Sequence, residues 1–444
     1  MTFVSRLRCA LRTLSRTSPQ CLALFMSLLL AACGGGGGGS SAPITVSLPP
    51  SLASIHDSNV AQIMVQAGPN NNVNIPYVSV TVCTAGGALG TSACKTIDNV
   101  LLDTGSTGLR LFANQVTSAV TLPPQTVGAS SAIYECANFL NTNAWGRVRV
   151  ADVVIGTSGE RASNVPIQLM DANDAGYVKC NNAPLMSTVT NNNAAAPPLT
   201  DSLSANGILG LGLFVNDGQN YFDCTVSGAG CTSIFPVATK QVQNPVALFG
   251  VTSGNVVANN NGVVLQLPVL PLGYATSAAG YLIFGVGTQS NNRLGTANVL
   301  PLNAFHHFTT VYKGRSFTSS FLDSGSNGFF FDDATLQSPA CTRAAPGFYC
   351  ATNSSLTAAI QLTPSTSVTV GIPLASADTL FYSPSGNYAF SNLGGSITDP
   401  AFSLTPPSSS FDWGLPFFFG RSVYTVIEGK TAGSQTGPFN AFTN

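Results

Sequence analysis

The chain is short of charge. Asp, Glu, Lys and Arg make up only 8% of its 444 residues, against roughly 25% in an ordinary soluble domain. The 17 basic and 18 acidic residues nearly cancel, and no Lys/Arg run occurs in the body of the chain. That balance argues against nucleic acid as a partner. Glu and Lys, both good helix formers, are scarce, while Gly (44) and Pro (27) are abundant among long runs of Ser, Thr, Asn and Val. Such a composition reads as strands joined by turns. His is scarcer still, with only His56, His306 and His307, and no Cys-x-x-Cys occurs. No metal site is expected, therefore, and no cofactor. Hydrophobic residues nevertheless reach 44%, which excludes wholesale disorder.

The N-terminus is built differently. Arg6, Arg8, Arg12 and Arg16 precede an apolar stretch from Cys21 to Ala32, with no acid before Cys33. Basic then apolar is the grammar of a bacterial export signal, and the stretch is too short for a spanning helix. Leu30-Ala31-Ala32-Cys33 resembles the lipobox of bacterial lipoproteins. The resemblance implies that residues 1–32 are removed and that Cys33 is lipidated, tethering the chain to a membrane without crossing it. Gly34 after the Cys, by the same resemblance, favours the outer membrane. Residues 33–43 are then a lipidated Cys and a flexible Gly/Ser linker. Removing residues 1–32 takes four Arg and no acid, leaving 13 basic against 18 acidic groups, a net charge of −5.

Setting Cys33 aside leaves eight Cys in the exported part, an even number that suggests four disulfides. Proximity pairs Cys83 with Cys94, Cys224 with Cys231 and Cys341 with Cys350. Cys136 and Cys180 remain as the fourth pair.

The body contains an internal repeat. Residues 99–109 read N-V-L-L-D-T-G-S-T-G-L, and residues 319–329 read S-S-F-L-D-S-G-S-N-G-F. The separation of 220 residues is too long for a solenoid and suits duplicated lobes. In each copy, apolar residues lead an Asp to the end of a buried strand. Gly105 or Gly325 allows a tight turn with a backbone N–H aimed at the carboxylate, and Ser106 or Ser326 can hydrogen-bond its outer oxygen. One such Asp is an expensive oddity. Two brought together cannot both ionise, so they share a proton, and that pair is an acid and a base in one device.

These segments resemble the two D-[TS]-G-[ST] motifs of pepsin-like aspartic peptidases. Residues 206–212 (N-G-I-L-G-L-G), 280–288 (G-Y-L-I-F-G-V-G-T) and 413–428 (W-G-L-P-F-F-F-G-R-S-V-Y-T-V-I-E) resemble further elements of that family, in family order. The chain also resembles an uncharacterised family of proteobacterial lipoproteins, which implies no activity. The first resemblance implies an all-β, two-lobed acid-protease β-barrel architecture with a cleft between lobes, the N-terminal lobe at 44–290 and the C-terminal lobe at 291–444. It implies Asp103 and Asp323 as catalytic groups, Thr104 and Ser324 as a cross-brace beneath them, and a monomer acting on polypeptide or binding a peptide. A membrane-anchored endopeptidase is the expected function, with a catalytically silent pepsin-fold binding module as the alternative.

The pattern departs from the family in three places. Pro416 falls where the second lobe's apolar-apolar-Gly element should end. Arg110 replaces a Trp that supports the flap, a hairpin over the cleft. Counting back from Gly146 puts Phe139 where the flap Tyr should stand, with Tyr134 as the other candidate. Trp145 and Trp413 and the Phe runs at 329–331 and 417–419 are expected to be core, and His306 and His307 exposed loop residues.

Overall fold

The computed structural model describes residues 45–47, 53–129, 131–139, 142–171, 173–174, 203–225, 230–250, 258–344, 347–382, 386–397 and 409–443. The expected export signal, the expected lipidation site Cys33 with its linker, and Cys180 lie outside them. The fold is all-β and two-lobed. Helices among the described residues are single turns or little more, such as Ala113–Val116, Ala377–Tyr382 and Leu415–Phe418. The scarcity of Glu and Lys has the consequence expected of it.

The first lobe is a closed barrel of six strands. Around the ring these are Pro76–Cys83, Cys94–Asp103, Gly207–Leu211, Thr107–Phe112, Arg161–Met170 and Asn143–Ile155, and the last pairs back with the first through Val80↔Ile155. Val80, Val82, Leu102, Leu109, Leu111, Val153, Ile155, Ile167 and Leu209 fill it, all fully buried. Each β-branched or Leu side chain so buried contributes roughly 1.5–3 kcal/mol. The hairpin of Ser131–Asn138 and Asn143–Ile155 projects from this ring.

The same sheet continues through Val60–Val65, Ser277–Phe284, Gly262–Gln266, Ser422–Val426, Phe439–Phe442 and Asn298–Leu300. The second lobe is a half-barrel ordered Thr366–Leu374, Asn353–Thr363, Phe308–Tyr312, Arg315–Leu322, Ser410–Trp413, Phe329–Phe330, Gly394–Gly395. Its core is aromatic: Phe331 stacks on Phe411 at 4.6 Å and Phe411 on Trp413 at 4.7 Å, each such pair being worth about 0.5–1.5 kcal/mol beyond burial.

Disulfides join Cys83 to Cys94, Cys224 to Cys231 and Cys341 to Cys350. The first two span directly opposed positions of antiparallel strands. Cys136 is also disulfide-bonded. Its expected partner, Cys180, lies outside the described residues.

The two lobes repeat one register. In the first, a parallel ladder sets Leu101 opposite Ile208, Leu102 opposite Leu209 and Asp103 opposite Gly210. In the second, Phe321 faces Asp412 and Leu322 faces Trp413, so Gly414 takes the place of Gly210. This corrects the reading of Pro416. The glycine of the element is present as Gly414, where a Cβ would lie 2.1 Å from the Gly328 carbonyl oxygen. Pro416 comes two residues later, in the first turn of Leu415–Phe418, where a missing N–H costs little. The residue that breaks the apolar pattern is Asp412.

Candidate active site

Asp103 closes the strand Cys94–Asp103, and Asp323 directly follows the strand Arg315–Leu322. The chain turns at once in both places, and the turns are built alike. Gly105 N–H donates to Asp103 Oδ1 at 2.8 Å, and Gly325 N–H to Asp323 Oδ1 at 2.7 Å. Ser106 Oγ donates to Asp103 Oδ2, and Ser326 Oγ to Asp323 Oδ2 at 2.9 Å. Each carboxyl therefore has its orientation fixed by one amide and one hydroxyl.

Beneath the turns the lobes are laced together. Thr104 N–H donates to Ser324 Oγ at 3.1 Å, and Ser324 N–H returns the bond to Thr104 Oγ1 at 3.0 Å. Each hydroxyl then donates across to the other lobe, Ser324 Oγ to the Leu102 carbonyl at 2.8 Å and Thr104 Oγ1 to the Leu322 carbonyl at 3.5 Å. Thr104 and Ser324 are both buried. Removing one hydroxyl strands a backbone N–H and a carbonyl away from water. Ser324→Ala is expected to destabilise the fold by about 2 kcal/mol, measured as a lowered urea midpoint. A midpoint equal to that of the parent would mean that water replaces the brace.

The brace brings the acids together. A Cβ built on Gly325 would touch both the Asp103 and the Asp323 carboxyl at once, so the two acids face each other across the turns. The turns leave no room for more than hydrogen: a Cβ on Gly105 would lie 2.6 Å from Asp323 Cγ, and one on Gly325 2.7 Å from Asp103 Oδ1. Burial first, and then repulsion from Asp103, push the Asp323 carboxyl well above the ordinary carboxylate range. Asp103 is buried and Asp323 half-buried, so the pair keeps an open edge.

The flap candidates separate. Tyr134 is fully buried on the strand Ser131–Asn138, stacked on Trp145 at 5.1 Å, with its hydroxyl on Asp174. Phe139 stands at the hairpin turn, where its N–H donates to the Thr142 carbonyl at 2.9 Å. Half-buried, it rests on the cluster of Tyr77, Leu101 and Ile208. Arg110 is buried and bonds Glu135 and Asp217, each at 2.5 Å, and the Thr107 carbonyl at 2.8 Å. Its guanidinium also lies 5.8 Å from the Phe139 ring. A cation with two acids stands where the family's apolar support was expected.

His306 and His307 are half-buried rather than exposed. His306 packs edge-on against Phe214 at 4.7 Å. With Phe305, Phe321, Thr104 and Gly105 they line a cavity of about 290 Å³ beside the first Asp turn. Burial, then the neighbouring His306, lowers the His307 pKa.

Two site residues escaped the sequence reading. Asn74 donates from Nδ2 to the Asn327 and Phe390 carbonyls, both at 2.8 Å, and accepts the Phe390 N–H, clamping one lobe to the turn after Asp323. A single Asn in an Asn-rich loop gives no signal for this. Asp412, 4% exposed, lies in the electrostatic range of both dyad acids. It did leave a trace, as an acid inside the apolar run S-F-D-W-G. Among the described residues, the one group of candidate metal ligands includes Cys341 and Cys350, which are bonded to each other.

A search of curated proteins finds no match to the chain. A profile of the protein family DUF3443, described as of unknown function, matches residues 55–442, a span that contains both Asp turns, the brace and Asp412. The chain belongs to the DUF3443 family.

Proposed function

We propose that this chain is a pepsin-like aspartic endopeptidase, anchored by a lipid on Cys33 to the bacterial outer membrane and acting as a monomer on extended polypeptide. The observation that carries the proposal is the Asp103–Asp323 pair, held face to face by two like-built turns on a reciprocal Thr104/Ser324 brace. A water held between the carboxyls is the nucleophile. Asp103 takes a proton from the water as its oxygen attacks the peptide carbonyl carbon, and Asp323 gives its proton to the carbonyl oxygen. The tetrahedral diol then collapses: the C–N bond breaks, the proton on Asp103 passes to the leaving nitrogen, and a proton returns from the diol to Asp323. Two fixed carboxyls supply both acid and base, so the step uses the chain's own groups alone. Substrate lies in extended form, hydrogen-bonded like an added strand beneath the hairpin that carries Phe139.

The silent binding module is the second reading, and the observation that favours it is Phe139, which stands at the hairpin turn and has no hydroxyl to donate. The test is digestion of an unfolded polypeptide across a range of pH. Cleavage is expected at acid pH and should fade as rising pH strips the proton from Asp323, whose raised pKa moves that fading toward neutrality. A statine-containing peptide, whose hydroxyl replaces the water, should block it. Peptide binding without cleavage at any pH would make the chain the silent module, and cleavage indifferent to statine would remove the dyad from the chemistry.

A further inference from the structure

Asp412 occupies a place built for an apolar side chain. Its counterpart in the first lobe is Ile208, set opposite Leu101 on one side and Arg110 on the other, whereas Asp412 is set opposite Phe321 and Phe330. No cation among the described residues is paired with it, and its Oδ1 has no hydrogen-bond partner. The Ser326 hydroxyl, which donates to Asp323 Oδ2, is the one polar uncharged group that acts on Asp412, and it favours the ionised form only where it has a proton to give.

A hydroxyl has one proton and two acceptor lone pairs. The proton of Ser326 is committed to Asp323. Asp412 can then meet Ser326 favourably only as a donor, which requires its own proton. The ionised form would be a buried, unpaired charge next to two other acids, the worst arrangement available to it. Burial, then Asp323, and further off Asp103, push its pKa well above the ordinary range, and these two acids are the charged groups that act on it.

The geometry points to Asp412 as a third carboxyl of the site, a positioning residue that keeps its proton and donates it to Ser326 Oγ. The chain of donors runs one way, from Asp412 to Ser326 to Asp323 Oδ2. With Asp323 Oδ2 engaged by Ser326 and Oδ1 by the Gly325 amide, the proton on Asp323 is left the edge that faces Asp103. This role rests on the dyad reading, but the protonation of Asp412 does not.

The test is chosen to keep the two apart. Infrared spectra of the full chain carrying ¹³C-labelled Asp report protonated carboxyls directly, without any turnover. At about pH 7, where an ordinary Asp is ionised, the wild type is expected to show a protonated-carboxyl band, part of which disappears in Asp412→Asn. Asp412→Leu, which copies the apolar character of the counterpart Ile208, should remove the same part and serves if the Asn variant does not fold. An unchanged band in a folded variant overturns the inference. In turnover, Asn keeps an N–H donor for Ser326 and Leu does not. Asp412→Asn should stay within about threefold of wild-type kcat, and Asp412→Leu should fall about tenfold at unchanged KM. Equal kcat in the two would reduce Asp412 to a packing residue. If the wild type cleaves nothing, the peptidase reading fails and the infrared result still decides whether Asp412 holds its proton.

Discussion

Asp103→Asn is expected to lower kcat for peptide hydrolysis by at least about a thousandfold while leaving the protein as stable as the parent, or more so, at neutral pH. The substitution is isosteric. Asn Oδ1 can still accept the Gly105 N–H, and the Asn amide can donate to Ser106 in place of accepting from it. The brace below runs through Thr104, Ser324 and two backbone carbonyls, none of which belongs to the carboxylate. On the proposed mechanism, what is lost is the base. Stability moves the other way for an electrostatic reason. Asp323 has a folded pKa above its unfolded value, so it subtracts from stability as pH rises from about 4 toward that folded value. A neutral neighbour removes the repulsion that raises it, and the subtraction shrinks. Steady-state kinetics and thermal unfolding at one neutral pH measure both. Residual turnover above a few per cent would mean that Asp103 is not the base. A large drop in Tm would mean that the dyad is structural.

The Asp turns were legible because everything that shapes them is contiguous: strand, Asp, glycine and hydroxyl lie within six residues, twice. The three disulfides now seen were legible for the same reason, each closing a loop of 7 to 11 residues. The second-lobe glycine was not legible because its signal is two apolar residues before it, and the run there is Asp412-Trp413-Gly414, in which the acid breaks that pattern. The half-burial of His306 and His307 depends on Phe214 and Phe321, which reach them from elsewhere in the chain. No local pattern could report that. The partners of Arg110 are further still, at 25 and 107 residues, and nothing in the spacing of Glu135 or Asp217 announces them.

That distant cluster sets the second large effect. Arg110→Met is expected to destabilise the first lobe by about 3–5 kcal/mol at neutral pH, the usual cost of leaving buried charge without its partner. Arg110, Glu135 and Asp217 have side chains no more than 1% exposed, and one cation serves two carboxyls. Burial raises Glu135, Arg110 pulls it back, Asp217 raises it again, and the result stands well above the ordinary range. Glu135 thus lowers stability as pH rises from about 4 through its folded pKa. Without the guanidinium that folded pKa climbs, the loss extends further, and the deficit of the variant widens with pH. Near pH 3, where ordinary carboxyls are protonated folded or unfolded, the deficit should shrink to the lost hydrogen bonds and the contact with Phe139. The chain has two Trp, one in each lobe, and Trp145 stacks on Tyr134, the neighbour of Glu135. Its fluorescence in a Trp413→Phe background therefore follows the first lobe alone through urea unfolding. An equal deficit at both pH values would mean that Arg110 acts by packing and not by charge. Glu135→Gln supplies the contrast. It leaves Arg110 with Asp217 as a one-to-one ion pair and keeps an Oε1 acceptor for the guanidinium, so it should cost little at neutral pH even though it removes an ion pair that Arg110→Met also removes. The two outcomes together would show that the cluster carries one negative charge more than its cation can hold, and that it tolerates this because it ties the hairpin strand Ser131–Asn138, through Glu135, to the strand that leaves the first Asp turn.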